Sequence, residues 1–175
     1  MKYLFTFSII IFTSCLINAQ EKLFPVIKGY GAVEVVNFKV ELPDPNQEYK
    51  LISELYARQE DKEALNGYLD YAARIVNAHT ASGVPQKNIR MAIVIFSGAT
   101  STVLTNEAYK ERFGVDNPNI DLLDKLVAAG VEVIVCGQSM VKQDIQPAQV
   151  HSGVQKAFSR ITATSSLLNL GYSVL

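Results

Sequence analysis

Residues 117–140 read "NPNIDLLDKLVAAGVEVIVCGQSM", and their periodicity switches at one glycine. Before Gly130, the apolar residues Ile120, Leu122, Leu123, Leu126 and Val127 recur at helical spacing, with Pro118 near the first turn. Gly130 supplies the C′ residue that ends a helix. "VEVIVC" (131–136) follows directly and is dominated by β-branched residues, so it reads as a strand. That strand ends in Cys136 and passes into the turn "CGQSM" (136–140). Helix, glycine, strand and turn make up one half of a βαβ unit.

The same pattern continues on both sides. "RMAIVIFSG" (90–98) is a continuous apolar run closed by Ser and Gly, as expected of a strand covered on both faces. "YKLISELYA" (49–57) reads as an earlier strand. Between them, "DKEALNGYLDYAARIVNAHTASG" (61–83) predicts a helix whose buried stripe is Leu65, Tyr68, Leu69, Ala72, Ile75, Val76 and His79. Gly83 ends it and Pro85 prevents its continuation. "TNEAYKERFG" (105–114) predicts a helix running from N-cap Thr105 to Gly114. Downstream, "QDIQPAQVHSG" (143–153) reads as a loop and "VQKAF" (154–158) as a short strand. "SRITATSSLLNLG" (159–171) reads as a helix with Ile161, Leu167, Leu168 and Leu170 on one side, and "YSVL" (172–175) as a last strand. Strands alternating with helices predict an α/β fold: a mostly parallel sheet, helices on both faces, right-handed crossovers.

In such sheets, ligands sit beyond the carboxyl ends of the strands. Two turns fall there, "FSGATS" (96–101) and "CGQSM", and they face each other if their strands are neighbours. The candidate ligand-binding residues are therefore Ser97, Gly98, Thr100, Gly137, Gln138 and Ser139, with Cys136 as the candidate reactive group. A thiol becomes a nucleophile as thiolate, and backbone N–H groups at a helix start or nest stabilise that form. The plain alternative is a small apolar residue that ends a core strand. "SGATST" (97–102) would likewise hold an anion at a helix start or be an ordinary strand-to-helix turn; it lacks the GK[ST] ending of a P-loop. His79 falls on a buried helical stripe, and His151 in "VHSG" reads as part of a solvated loop. No HExxH or CxxC spacing occurs, so neither a metal site nor a cofactor is expected.

The chain has 175 residues, 49% hydrophobic and 19% charged, which is enough apolar material for one domain with a sizeable core. Its net charge of −1 gives no electrostatic footprint for nucleic acid. "MKYLFTFSIIIFTSCLINAQ" carries Lys2, then an apolar run too short for a comfortable membrane span, then Ala19. This reads as a signal peptide over residues 1–19, cut after Ala19, which makes the mature chain periplasmic or secreted with no membrane span. An uncleaved anchor and a lipoprotein signal with Cys15 lipidated are the alternatives. Cleavage leaves Cys136 as the sole cysteine, an unpaired thiol in an oxidising compartment. Residues 20–47 read as an extended arm lying on the domain or on a neighbouring subunit, in which "AVEVVNFKVEL" (32–42) would pair as an edge strand and "PDPNQ" (43–47) is turn chemistry. The domain proper covers residues 48–175.

The chain resembles the DsrE/DsrF-like family through "KGYGAV" (28–33), "PDPNQEYKLISEL" (43–55), "IRMAIVIFSGAT" (89–100), "LDKLVAAGVEVIVCGQSM" (123–140) and "LLNLGYSVL" (167–175). The strand that ends in "CGQS" is the most specific piece, and the exported members with a leading arm are the nearest in form. The resemblance implies a three-layer α/β/α domain of about five strands, flavodoxin-like in architecture, that assembles into trimers or hexamers. It also implies a sulfur relay, in which a cysteine carries a persulfide between a donor and an acceptor protein. Cys136 is the only position to which that role passes, making the protein a carrier or binding protein rather than a turnover enzyme. Related members have a histidine in the turn after the second strand, where this chain has Ser97. The competing reading is a non-catalytic oligomeric binding module with Cys136 structural. A nucleotide-binding reading has no phosphate-cradling glycine pattern behind it.

Overall fold

The computed structural model describes residues 21–175; the segment read as a signal peptide, with Cys15 and Ala19, lies outside them. The chain begins with β1 (Lys22–Leu23) and β2 (Val33–Glu34), then β3 (Tyr49–Leu55), α1 (Gly67–Ala81), β4 (Ile89–Ile95), α2 (Asn106–Phe113), α3 (Ile120–Ala128) and β5 (Glu132–Cys136). It continues through α4 (Gly137–Lys142), β6 (Gln155–Ala157), α5 (Arg160–Asn169) and β7 (Ser173–Val174), with short 3-10 turns at Gln86–Asn88, Ser97–Val103 and Pro147–Gln149.

Five strands form one sheet in the order β6-β5-β4-β3-β7, and every neighbouring pair is parallel. The handedness rule explains the layers. From β3 to β6 each crossover steps the same way along the sheet, so right-handed connections place α1–α4 on one face. The chain then returns from β6 across the sheet to β7, and the same rule puts α5 on the opposite face. Side-chain alternation agrees. Leu51, Leu55, Met91, Ile93, Ile95, Val133 and Val135 pack under α1–α4 with Leu69, Leu122 and Leu126. Ile52, Ala92, Val94 and Ile134 pack under α5 with Leu167. The α/β/α expectation holds, with a fourfold layer on one side and a single helix on the other.

Local chemistry fixes the boundaries. The Asn66 side chain accepts from the N–H groups of Tyr68 and Leu69, so α1 starts at Gly67 and not within 61–66. Thr105 caps α2, and Gly114 ends it at φ 80°. Behind the carboxyl ends of the strands, Asn117 donates to the carbonyls of Thr102 and Leu104 and accepts from Asn119, whose own side chain accepts from the Asn66 N–H. Among the described residues no buried side-chain polar atom lacks a partner, as a low-dielectric interior demands.

Several expectations are corrected. "CGQSM" is not a turn: it runs straight into α4. On α1, Tyr68 is exposed and Asn77 is buried, because the arm and not the sheet determines what that flank of the helix meets. Asn77 Oδ1 accepts from the N–H groups of Val26 and Ile27, and its Nδ2 donates to the carbonyls of Tyr30 and Gly31. A Cβ on Gly31 would sit 2.2 Å from the Arg74 nitrogen, so only glycine lets the arm lie this close to α1. "AVEVVNFKVEL" does not join the sheet edge; only Val33–Glu34 pairs, with Lys22–Leu23, in a separate two-stranded ribbon. On α5, Leu167 alone is buried, while Ile161, Leu168 and Leu170 face outward.

Candidate functional site

Cys136 is the last residue of β5 and the residue that enters α4. It continues the alternation of Ile134, so its side chain lies on the α5 face of the sheet. The connection leaving β5 goes to α4 on one face, and the connection leaving the adjacent β6 goes to α5 on the other. Neighbouring strands whose connections diverge make a switch point, the position at which α/β sheets commonly bind ligands. Cys136 and Ala157, which end the two strands, are paired in register across that point.

Two helix starts converge on the sulfur. Burial raises the thiol pKa, but the Ser139 side chain and the backbone N–H groups of Ser139, Arg160 and Gln138 oppose it and together hold the pKa below the ordinary thiol value. Gln138 and Ser139 belong to the first turn of α4, and Arg160 is the first residue of α5. The site is tightly built. A Cβ on Gly137 would lie 2.8 Å from the Ala157 carbonyl oxygen and 3.2 Å from that of Phe158, so glycine lets α4 start against the β6–α5 link. Cys136 is 3% exposed in the single chain and forms no disulfide.

The turn after β4 joins this site through Ser139. The Ser97 N–H donates to Ser139 Oγ at 2.9 Å, and Gln143 Nε2 donates to the Ser97 carbonyl at 2.6 Å. The Ser139 hydroxyl proton is thereby left for the sulfur. Ser97 adopts φ 52°, a left-handed conformation held by these two contacts and by Thr100, whose hydroxyl donates to the same carbonyl at 2.8 Å. Thr100 is fully buried, so it shapes the turn and has no free group for a ligand. Gly98 lies against the next loop: a Cβ there would be 2.8 Å from both the nitrogen and the Cβ of Arg58. The Gln138 side chain is exposed, and its backbone N–H faces the thiol. The sequence-derived residues thus share one rim, with Ser97, Gly137, Gln138 and Ser139 around the sulfur and Gly98 and Thr100 behind them.

Arg160 and Glu54 were not anticipated. The Arg160 guanidinium lies 4.7 Å from the centre of the Phe96 ring and 3.5 Å from Glu54 Oε1, which also accepts from the Thr164 hydroxyl at 2.9 Å. Tyr56 stacks on the other partner, Phe96, at 5.7 Å. Ser159 as N-cap of α5 was the available signal, since a capped helix start presents N–H groups; its meeting with Cys136 depends on the strand order. Beyond Glu54, a cavity of about 690 Å³ opens between the end of β3 and the start of α1, lined among others by Arg58, Tyr68, Tyr71 and Leu175.

Neither histidine reaches the thiol. His79 Nδ1 lies 2.8 Å from the Ile75 carbonyl and its ring packs 5.3 Å from Tyr49. His151 is not solvated as expected: its side chain is 13% exposed, with Nε2 3.1 Å from Asp124 and Nδ1 accepting from the Gly153 N–H. Among the described residues no group of His, Cys, Asp and Glu could hold a metal ion.

A family model described as DsrE/DsrF-like matches residues 52–175, from the middle of β3 to the last strand. The chain belongs to the DsrE/DsrF-like family. No curated protein matches it. Among solved structures, it is similar to a protein of unknown function from Methanobacterium thermoautotrophicum, at 12% identity and TM-score 0.56, covering 73% of this chain and 98% of that one. It is also similar to the ychN protein of E. coli, at 16% identity and TM-score 0.51, covering 72% of this chain and 96% of that one. Likeness at this identity establishes the shared fold. The family match begins after the arm, so residues 21–48 stand outside it.

Proposed function

We propose that the protein is an exported sulfur carrier of the DsrE/DsrF-like family that holds sulfane sulfur as a persulfide on Cys136. The observation that carries this reading is the convergence of the α4 and α5 N–H groups and the Ser139 hydroxyl on one thiol at the β5/β6 switch point. Those donors favour the thiolate, which attacks the terminal sulfur of a donor polysulfide or persulfide. The new S–S bond forms on Cys136 as the donor's S–S bond breaks, and the donor leaves as a thiolate. The same donors then stabilise the persulfide anion until an acceptor protein takes the outer sulfur. Export after cleavage behind Ala19 and assembly into a homo-oligomer belong to this proposal, with the signal-like residues 1–19 and the outward-facing apolar side chains of α5 in support. Incubation with inorganic polysulfide, followed by intact-mass measurement, is expected to add one or more sulfur atoms to the wild type and none to Cys136→Ala. Equal addition to both proteins would remove Cys136 from the role.

The burial of Cys136 favours a second reading, in which the cysteine is structural and the protein is a binding module for a small ligand or partner protein. Native protein that takes up no sulfur from polysulfide, but does so after denaturation, would select that reading.

A further inference from the structure

Residues 36–42 of the arm carry a pattern that the domain does not use. Val36, Phe38 and Leu42 are 50%, 72% and 79% exposed and Val40 is 43% exposed, and they alternate with Asn37, Lys39 and Glu41. This is the period-2 alternation of a strand with one apolar face. Among the described residues no backbone hydrogen bond joins residues 36–42 to the rest of the chain. Both ends are fixed, however. The Asn77 clamp holds the chain at residues 26–31, and the Pro45 carbonyl accepts from Asn88. A segment of alternating apolar and polar residues with free backbone groups, bent at Phe38 and fixed on both sides, is built to pair as a strand once a partner is present.

We propose that this segment pairs antiparallel with the same segment of a second copy, across a two-fold axis through Val40. Charge complementarity selects that occupant and that register. With the axis at Val40, Lys39 of each copy stands opposite Glu41 of the other, Phe38 stands opposite Leu42, and the apolar residues of both strands share one face. Moving the axis to residue 39 sets lysine against lysine, and moving it to residue 41 sets glutamate against glutamate, both unfavourable directly across a ladder. Intermediate registers place Lys39 or Glu41 against Val40 and mix the faces. In the favoured register Phe38, Val40 and Leu42 exchange the ladder hydrogen bonds, and the paired stretch ends before Pro43, which has no N–H. Within one copy Lys39 and Glu41 already form a 3.1 Å ion pair with side chains 85% and 75% exposed. So exposed a pair contributes little and readily exchanges partners. The arm lies outside the family match, so this contact is an addition to the shared domain. It rests on the assembly reading above only in that it joins two copies; it uses neither the α5 face nor Cys136.

Charge reversal tests it, with mass measured by sedimentation velocity over a concentration series. Lys39→Glu and Glu41→Lys each set like charges opposite one another twice, and each is expected to halve the mass of the assembly by weakening the contact about tenfold or more. The double variant restores the complementary pattern and the wild-type mass, as does an equimolar mixture of the two single variants. Both sites of change are exposed, so far-UV circular dichroism is expected to stay unchanged, as is polysulfide loading of Cys136. Single variants that keep the wild-type mass, a double variant that fails to recover it, or a wild type already monomeric at the highest concentration would each overturn the proposal.

Discussion

At the scale of single residues, the thiol is governed by contacts that come from far apart in the chain. Cys136 lies in a site that raises its pKa by burial, and four hydrogen-bonding groups reverse that effect. The sign follows. A thiol whose folded pKa is lowered stays ionised until pH falls through that lowered value, and its contribution to stability is present above the ordinary thiol pKa and lost on the way down. The rate of Cys136 alkylation in the native protein is therefore expected to rise with pH at a midpoint below the free value of about 8.5. Ser139→Ala removes the side-chain donor and frees the Ser97 N–H, so its midpoint moves upward and its labelling at neutral pH slows. An unchanged midpoint in Ser139→Ala, read by intact mass, would assign the lowering to the backbone alone. The position of Cys136 at the sheet rim was legible from the strand that precedes it. The role of Ser139 was legible only as a nearby polar residue, and the contribution of Arg160 was not, because no local pattern records that β5 and β6 are adjacent.

At the scale of elements, strands and helices were readable wherever one physical signal dominated. The apolar run 90–98 contains most of β4 (Ile89–Ile95), which ends before Phe96, and the Thr105 and Gly114 signals bound α2 as expected. Reading failed where a partner distant in sequence decides burial. The stripe assigned to α1 took Tyr68 as inward and left Asn77 out, because helical spacing cannot register an arm that covers the flank of the helix. Asn77 turns that arm from a loose lead-in into a fixed element. Asn77→Ala leaves two N–H groups and two carbonyls without their partner in a buried seam. The expected cost is about 3 kcal/mol in chemical denaturation, with hydrogen exchange accelerated at residues 26–31 and unchanged in β4 and β5. A loss spread evenly over the sheet would mean that the clamp supports the core and not the arm.

At the scale of the whole molecule, the two faces of the sheet are covered unequally. Helices α1–α4 seal one face, whereas α5 alone covers the other, and it presents Ile161, Leu168 and Leu170 outward at 69%, 47% and 64% exposure, beside Phe158 at 78%. The sequence made α5 amphipathic, but its apolar excess exceeds what one narrow sheet face can bury, and a lone chain leaves the remainder in water. Assembly through α5 would cover it, and Arg160 at the start of that helix would then bring the interface next to Cys136. This contact and the proposed arm ribbon would use separate elements of the chain, so they would combine as independent symmetry elements. A ring through α5 joined by two-folds through the arms closes into an assembly with an even number of copies, such as a hexamer. The two contacts are then separable. Ile161→Asp with Leu168→Asp is expected to leave only the arm-linked dimer, Lys39→Glu only the ring, and the three changes together a monomer, with sedimentation velocity reading each mass. In the dimer expected from the α5 changes, Cys136 should react faster with a thiol reagent than in the full assembly, because no neighbouring α5 would lie over it. Equal rates would place the thiol outside that interface and separate sulfur transfer from assembly.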